Sequence, residues 1–254
     1  MLCNIFISGA ASTGKTTLLR ALQTHFEAQA AAISPDPPPP PAIITEVARD
    51  VMNAHPITVS QIRGSPSVSL QLQKRILEAQ LRAQCFVLGA DLPESAAAYM
   101  EPLSELMPER YHGKSTAAAH HWFISDRSCV DPVIYTKLFV ARPHGDSTTS
   151  IPTAMEDLLK TPTYHALEED VRKGLLILIE PNDATLRDDG VRMMPLSTGE
   201  WHEFHKECCE FLEERKVRFR VIGTEVIDVG DRVEFVLSEW RTMCGSVPSG
   251  EAPP

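Results

Sequence analysis

The chain has 254 residues, of which 43% are hydrophobic and 23% charged, and its formal net charge is −10. A chain of this length and apolar content can bury one substantial core, so we expect a single α/β domain rather than two full domains. The negative charge argues against broad non-specific binding of nucleic acid, because such binding needs a basic surface that neutralises phosphates.

The N-terminal segment has the pattern of a strand that runs into a phosphate-binding loop. Ile5, Phe6 and Ile7 are apolar, and the residues after them spell G-x-x-x-x-G-K-T, the pattern of a P-loop. Backbone amides of such a loop surround a phosphate, and the following helix, expected at about 15–30, directs its positive end at the same oxygens. The predicted nucleotide-binding residues are Gly9, Ala10, Ala11, Ser12, Thr13, Gly14, Lys15, Thr16 and Thr17.

Four of these residues have individual expected roles. Lys15 is expected to reach the β- and γ-phosphates, and Thr16 to ligate magnesium. Gly9 and Gly14 suit the loop because wrapping a phosphate needs positive φ angles and close backbone approach, both of which a Cβ obstructs. The loop therefore predicts binding of a nucleoside triphosphate with Mg²⁺.

A proline-rich segment at 34–41 follows the first helix and includes five consecutive prolines. Proline cannot donate hydrogen bonds to a sheet and favours an extended polyproline conformation. We interpret the segment as a surface insert of the domain, with a ligand for a proline-binding partner as the alternative.

The next predicted elements are a short strand at 41–46 and a helix from 47 to about 53. Glu46 ends the strand opposite the P-loop, so it is a candidate to hold a substrate hydroxyl or to accept its proton. The alternative is an acidic residue that only interacts with the helix dipole. Helical spacing of apolar residues predicts a long amphipathic helix at 68–88, and residues 92–118 are expected to be irregular or weakly helical.

The third predicted strand, 121–127, also ends in charged residues. Asp126 is a candidate magnesium ligand or general base, and Arg127 is a candidate to clamp phosphate with two hydrogen bonds. A structural Asp-Arg pair that caps the next helix is the alternative. That helix is expected to start at Asp131 and Pro132, an N-cap followed by proline at the first helical position.

The C-terminal half again alternates helices with strands. The continuous apolar run at 175–179 is typical of a strand buried on both faces of a parallel sheet. Arg187 and Arg192 flank an Asp-Asp-Gly turn and are candidates for a lid that closes over the nucleotide, a solvated surface loop being the alternative. The other predictions are a loop at 142–153, a helix at 154–172, a helix that buries Trp201, Phe204, Cys208, Phe211 and Leu212, a strand at 217–222, a helix near 231–243 and a disordered tail at 245–254.

Five short strands separated by helices predict a doubly wound, parallel five-stranded α/β sheet, a P-loop NTPase domain of the nucleoside and nucleotide kinase type over residues 1–244. Ligands bind such sheets at the carboxyl ends of the strands. We therefore expect Glu46 and Asp126 to converge on the P-loop.

The P-loop and three further segments together resemble the AAA-type P-loop domain of the NadR kinase group. The segments are Thr45–Arg49, Ser125–Ser128 with Asp131, and Asp188–Arg192. The group contains the ribosylnicotinamide kinase domain of the bacterial NAD regulator and eukaryotic relatives that bind guanine nucleotide and phospholipid, and the chain resembles a fungal or eukaryotic type of relative. The similarity spans roughly residues 3–240, but the proline insert and residues 92–118 do not match it.

The resemblance implies roles for the charged residues in phosphoryl transfer. A carboxylate after the second strand handles the acceptor, the Asp-Arg element of the third strand serves metal and phosphate, and the lid supplies arginines. The implied catalytic residues are Lys15, Glu46, Asp126, Arg127, Arg187 and Arg192, with Thr16 and Asp126 on the metal.

Two functional classes follow. The first is a small-molecule kinase that uses ATP and Mg²⁺ to phosphorylate a nucleoside-like hydroxyl, ribosylnicotinamide being one candidate. The second is a nucleotide-binding switch, or a binding protein linked to lipid or trafficking, in which hydrolysis is slow. Residues 180–183 lack the lysine of a guanine-reading N-K-x-D element, which favours ATP, while GTP stays an alternative.

Six cysteines without a C-x-x-C pair suggest neither a zinc ribbon nor a disulfide framework. No leader pattern begins the chain, and no apolar run is long enough to span a membrane, so a cytoplasmic location is expected. The expected partners are a nucleoside triphosphate and a small-molecule acceptor, with peripheral lipid contact in the alternative class and no nucleic acid.

Overall fold

The structure is a computed structural model that describes residues 2–31, 39–45, 47–55, 57–100, 120–140, 151–184 and 198–245. Its strands all pair in parallel, in the order second, third, first, fourth, fifth across one sheet. The predicted doubly wound parallel sheet is therefore confirmed. The strands are β1 (Ile5–Ser8), β2 (Ala42–Ile44), β3 (Phe123–Asp126), β4 (Leu175–Ile179) and β5 (Arg220–Ile222).

Helices cover both faces of this sheet. The helices in the described ranges are α1 (Lys15–Ala31), α2 (Val47–Ala54), α3 (Val59–Gly64), α4 (Pro66–Leu88), α5 (Glu94–Ala97), α6 (Val130–Tyr135), a π-helical turn (Thr136–Val140), α7 (Ile151–Leu159), α8 (Pro162–Lys173), α9 (Thr198–Glu214) and α10 (Val229–Gly245).

The strands are apolar along their length because both of their faces are buried. Along β1, Phe6 packs with residues of α2, α4 and α9, whereas Ile5 and Ile7 pack with residues of α1 and α10. Side chains of successive strand residues point to opposite faces, so one short apolar run supplies two separate core layers. Burial of such large side chains is the main source of stability of the fold.

Local capping residues set several helix ends. Thr58 accepts a hydrogen bond from the backbone amide of Gln61, whose side chain in turn bonds the Thr58 amide, and this reciprocal capping box starts α3. Ser65 caps α4 with Pro66 at its first position. Gly89 ends α4 with φ of 62°, the left-handed conformation that favours glycine.

The structure differs from the predicted elements in several places. Helix α3 was not predicted. The short helix α5 agrees with the expectation of an irregular or weakly helical segment at 92–118, of which residues 101–118 lie outside the described residues. The single helix predicted at 154–172 is wrong, because α7 already begins at Ile151, inside the expected loop, and Thr161 caps a separate helix α8 that starts at Pro162. Gly245 belongs to α10 rather than to a disordered tail, and residues 246–254 lie outside the described residues.

The order of the strands reverses on either side of β1, which pairs with β3 on one side and β4 on the other. Ile7 lies opposite Asp126 of β3, and Ser8 lies opposite Leu178 of β4, so the three strands end at nearly the same level. Ligands of doubly wound sheets bind at such a switch point. Within the described ranges, no helix has the length and apolar content needed to cross a membrane.

Candidate functional site

The loop between β1 and α1 has the backbone conformation of a phosphate cradle. Gly9 has φ of 140°, Ser12 of 60° and Gly14 of 87°. A Cβ at Gly9 would lie 2.8 Å from the carbonyl oxygen of Ile179, which is closer than a side-chain carbon can approach. The loop therefore requires glycine at this position both for its dihedral angle and for its close approach to β4.

The start of α1 directs its amides toward this loop. The first helical hydrogen bond runs from the amide of Leu18 to the carbonyl of Gly14, at 3.0 Å. Amides of residues 15–17 precede it and so point out of the helix, together with the positive end of its dipole. This arrangement favours an anion at the loop, as the sequence predicted.

The side chain of Lys15 lies inside the loop and is only 3% exposed. Its Nζ donates to the carbonyl of Ala10 and to the hydroxyl of Thr13, the latter at 3.4 Å. An ammonium group held here carries its charge at the centre of the cradle, where a phosphate oxygen would compete for the same donors.

Thr16 and Asp126 meet at the carboxyl ends of β1 and β3. The hydroxyl of Thr16 donates to Oδ2 of Asp126 at 2.8 Å. Asp126 is 8% exposed, and its Oδ1 is buried with no hydrogen-bond partner among the described residues. A hydroxyl and a carboxylate with an unsatisfied oxygen are the hard ligands that Mg²⁺ prefers, so these two residues fit a magnesium site.

Arg127 forms hydrogen bonds with the P-loop and with α6. Its backbone has a φ of 107°, and its Nη1 donates to the carbonyl of Gly9 at 3.0 Å and to Oδ1 of Asp131 at 2.8 Å. Burial opposes the charge of Arg127, but the neighbouring Tyr135, Asp131 and Asp126 outweigh it and raise the pKa of the guanidinium. The contacts of Arg127 are those of a structural Asp-Arg pair, and a phosphate clamp stays a prediction.

Asp131 connects the ends of β1 and β3. It is almost completely buried and accepts hydrogen bonds from the hydroxyl of Ser8 at 2.8 Å and from the amide of Ser128 at 3.0 Å. It lies within the first turn of α6 rather than at the N-cap, where the sequence had placed it. The carboxylate thus links the end of β1 to Arg127, whose guanidinium also bonds the P-loop.

A cavity of about 160 Å³ lies between the P-loop, α2, α4 and α6. Its wall contains both apolar and polar residues. The apolar part includes Val47, Met52, Ile62, Leu72 and Ile76, and the polar part includes Lys15, Arg49, Asn53, Gln73, Gln80, Asp126 and Arg127.

A second cavity of about 380 Å³ lies on the other side of the loop, against the start of α10. Residues 12–18 line it together with Val229, Arg232 and Ile227, a large apolar side chain that is 64% exposed. Lys15 is a lining residue of both cavities.

Two residues that contact the loop carry no motif that sequence reasoning could have recognised. Arg232 is 7% exposed and donates from Nη1 to the carbonyl of Thr13 at 3.1 Å and from Nε to the carbonyl of Val226 at 2.8 Å. Its pKa is lowered by burial. The indole of Trp201 donates to the carbonyl of Ala11 at 2.9 Å, whereas the sequence had predicted only that Trp201 is buried.

Three predicted site residues lie outside the described residues. Glu46, Arg187 and Arg192 belong to positions that the structure does not describe. The adjacent Val47 and Arg49 line the first cavity, which is the side of the loop expected for Glu46. The roles of all three residues stay predictions.

Comparison with known proteins identifies a family whose sequence model matches the chain and a solved structure with a similar fold. The sequence model of the AAA domain family matches residues 4–228. A crystal structure of NadR protein in complex with NR is similar in fold, with a TM-score of 0.52 and 21% sequence identity, and the match covers 99% of this chain. The chain spans about half of that protein, 54% of its length, and no curated protein sequence matches significantly.

Proposed function

Because the chain belongs to the AAA domain family, we propose that it is a P-loop kinase that transfers the γ-phosphoryl group of ATP to a nucleoside-like hydroxyl. The observation that carries this proposal is that Lys15 lines two cavities at once. A kinase must hold two ligands on opposite sides of the transferred group, whereas binding of a nucleotide alone needs only one space.

The loop side of the site would hold the nucleotide. Phosphoryl transfer depends on positioning and on stabilising charge that develops on the transferred group. Lys15 would contact the β- and γ-phosphates, a role supported by its position inside the loop, and the amides at the start of α1 would add further donors. Thr16 and Asp126 would hold Mg²⁺, which when bound neutralises phosphate charge.

The other side would hold the acceptor. Its apolar lining residues suit a flat ring, and its polar lining residues suit the hydroxyls of a sugar. Two described carboxylates line this cavity, Asp126 and Asp131. Both oxygens of Asp131 already accept hydrogen bonds, whereas Oδ1 of Asp126 has no partner among the described residues. Asp126 is therefore the candidate to accept a hydrogen bond from the attacking hydroxyl, with Glu46 as the second candidate. Since NadR, which has a similar fold, was solved with NR, ribosylnicotinamide is the first acceptor to test.

The test is release of ADP from ATP and Mg²⁺, measured with and without ribosylnicotinamide and a panel of common nucleosides. We expect release that depends on one acceptor. Lys15→Ala should abolish it, because the substitution removes the ammonium group that would stabilise the phosphate charge. The same assay with GTP decides which nucleotide is used.

Turnover that is indifferent to every nucleoside would contradict the kinase proposal. It would favour the second functional class, a nucleotide-dependent switch or a lipid-linked binding protein with slow hydrolysis. Binding of a fluorescent nucleotide that Lys15→Ala leaves unchanged would contradict the P-loop assignment itself.

A further inference from the structure

Gln80 is a buried polar residue in the wall of the first cavity. It lies in α4, is only 4% exposed, and lines the space that also touches Asp126 and Arg127. Its side-chain oxygen Oε1 has no hydrogen-bond partner among the described residues. Buried amide oxygens are nearly always paired, so an unpaired one beside a cavity points to a donor that a ligand would bring.

The orientation of the Gln80 amide follows from its neighbour. Nε2 donates to the backbone carbonyl of Ser128 at 3.4 Å. A carbonyl can only accept a hydrogen bond, so exchanging the nitrogen and oxygen of the amide would place two acceptors against each other. The amide nitrogen therefore faces Ser128, and the oxygen is left as an acceptor.

We propose that Gln80 is a specificity-determining residue of the acceptor pocket, whose Oε1 accepts a hydrogen bond from an N–H or O–H group of the acceptor. This proposal rests on the proposed function in taking the first cavity as the place of the acceptor. The acceptor then carries two polar groups, a hydroxyl for Asp126 and a hydrogen-bond donor for Gln80. A site built to pair a polar group discriminates strongly against an analogue that lacks it.

The chain offers a matched control in Gln84. It lies one turn further along α4, is 3% exposed, and also has a buried Oε1 without a partner among the described residues. Gln84 does not line the first cavity. Replacing either glutamine with leucine removes the same chemical group from the same helix, but only one replacement changes the cavity wall.

The experiment compares two probes of nearly the same shape, benzamide with an N–H donor and acetophenone without one. Each is titrated by NMR into the full chain and into Gln80→Leu and Gln84→Leu. We expect the unaltered chain to bind benzamide about tenfold more tightly than acetophenone. Gln80→Leu should abolish this preference and Gln84→Leu should keep it.

A second readout uses the unaltered chain alone and so does not depend on the folding of either variant. When both probes are near saturation, the side-chain amide signals of Gln80 should shift more with benzamide than with acetophenone, because only benzamide forms the hydrogen bond. Equal affinity for the two probes, no binding of either at millimolar concentration, or equal loss of preference in both variants would overturn the proposal.

These outcomes are separate from those of the kinase test. A benzamide preference that depends on Gln80, together with ADP release indifferent to nucleosides, would refute the kinase and leave the Gln80 site standing. ADP release that depends on a nucleoside, with no such preference, would refute the role of Gln80 alone.

Discussion

Replacing Gly9 with alanine should be costly for two reasons that the structure makes explicit. The new Cβ would lie 2.8 Å from the carbonyl oxygen of Ile179, a backbone atom of the central sheet that cannot move away cheaply. The φ of 140° is also a conformation that residues with a Cβ rarely adopt. Such backbone strain costs about 1–3 kcal/mol.

With the steric overlap added, we expect Gly9→Ala to lower the free energy of unfolding by about 3 kcal/mol. For a chain of this size that corresponds to a fall in Tm of roughly 10 °C. The loop would relieve the overlap by moving away from β4, so the affinity for ATP should also fall, by at least about tenfold. Urea denaturation and titration with a fluorescent ATP analogue measure the two effects.

Gly64→Ala is the control for this experiment. Gly64 is the last residue of α3, and a Cβ built there meets nothing within 4 Å. Alanine in a helix is favoured over glycine by about 0.5–1 kcal/mol, so this variant should be as stable as the unaltered chain or slightly more stable. If Gly9→Ala matched Gly64→Ala in both stability and ATP affinity, the reasoning about the cradle would be refuted.

Three further predictions concern the metal ligands, the P-loop and the periphery. Under the proposed function, Asp126→Asn should lower Mg²⁺-dependent turnover at least about tenfold while sparing the fold, since it would weaken the proposed metal ligand. Rates measured over a range of Mg²⁺ concentrations, with circular dichroism, check this. Trp201→Phe removes the hydrogen bond to the P-loop and should lower the free energy of unfolding, measured by urea denaturation, by about 1 kcal/mol. An unchanged free energy would show that this hydrogen bond does not stabilise the loop. Arg215→Ala should lower the free energy of unfolding by about 2 kcal/mol, because it removes two hydrogen bonds from the largely buried Glu168. Lys173→Ala is the control, since it breaks an exposed ion pair, and it should lower the free energy of unfolding by less than about 0.5 kcal/mol. Burial raises the pKa of Glu168, but hydrogen bonds and charge from Arg215 outweigh burial and lower that pKa. The ion pair therefore stabilises the fold above about pH 4.3, and this stabilisation is lost as the pH falls through the lowered pKa. Denaturation midpoints that fall equally with pH in Arg215→Ala and in the unaltered chain would contradict this.

The sheet and the cradle were predictable because their signals are local. A strand buried on both faces must be apolar throughout, which marks 175–179 directly. The P-loop pattern encodes its own backbone conformation, since Gly9 and Gly14 occupy the positive φ angles. Asp126 could be placed beside Thr16 because parallel strands bring their carboxyl ends to one edge of the sheet.

Contacts between distant parts of the chain left no such signal. Gln80 and Arg232 occupy ordinary helical positions, and only packing in three dimensions brings them to the two cavities. The division between α7 and α8 was missed for a different reason. Thr161 and Pro162 are a cap and a first-turn proline, a local signal that the sequence contains and that the prediction of one helix at 154–172 did not use.

The position of Lys15 in the shared wall of both cavities has a kinetic consequence under the proposed function. Donor and acceptor would occupy two different cavities, so neither would have to leave before the other arrives. The phosphoryl group can pass directly between them within a ternary complex, without a phosphorylated side chain as an intermediate. Initial rates should therefore give intersecting rather than parallel double-reciprocal lines.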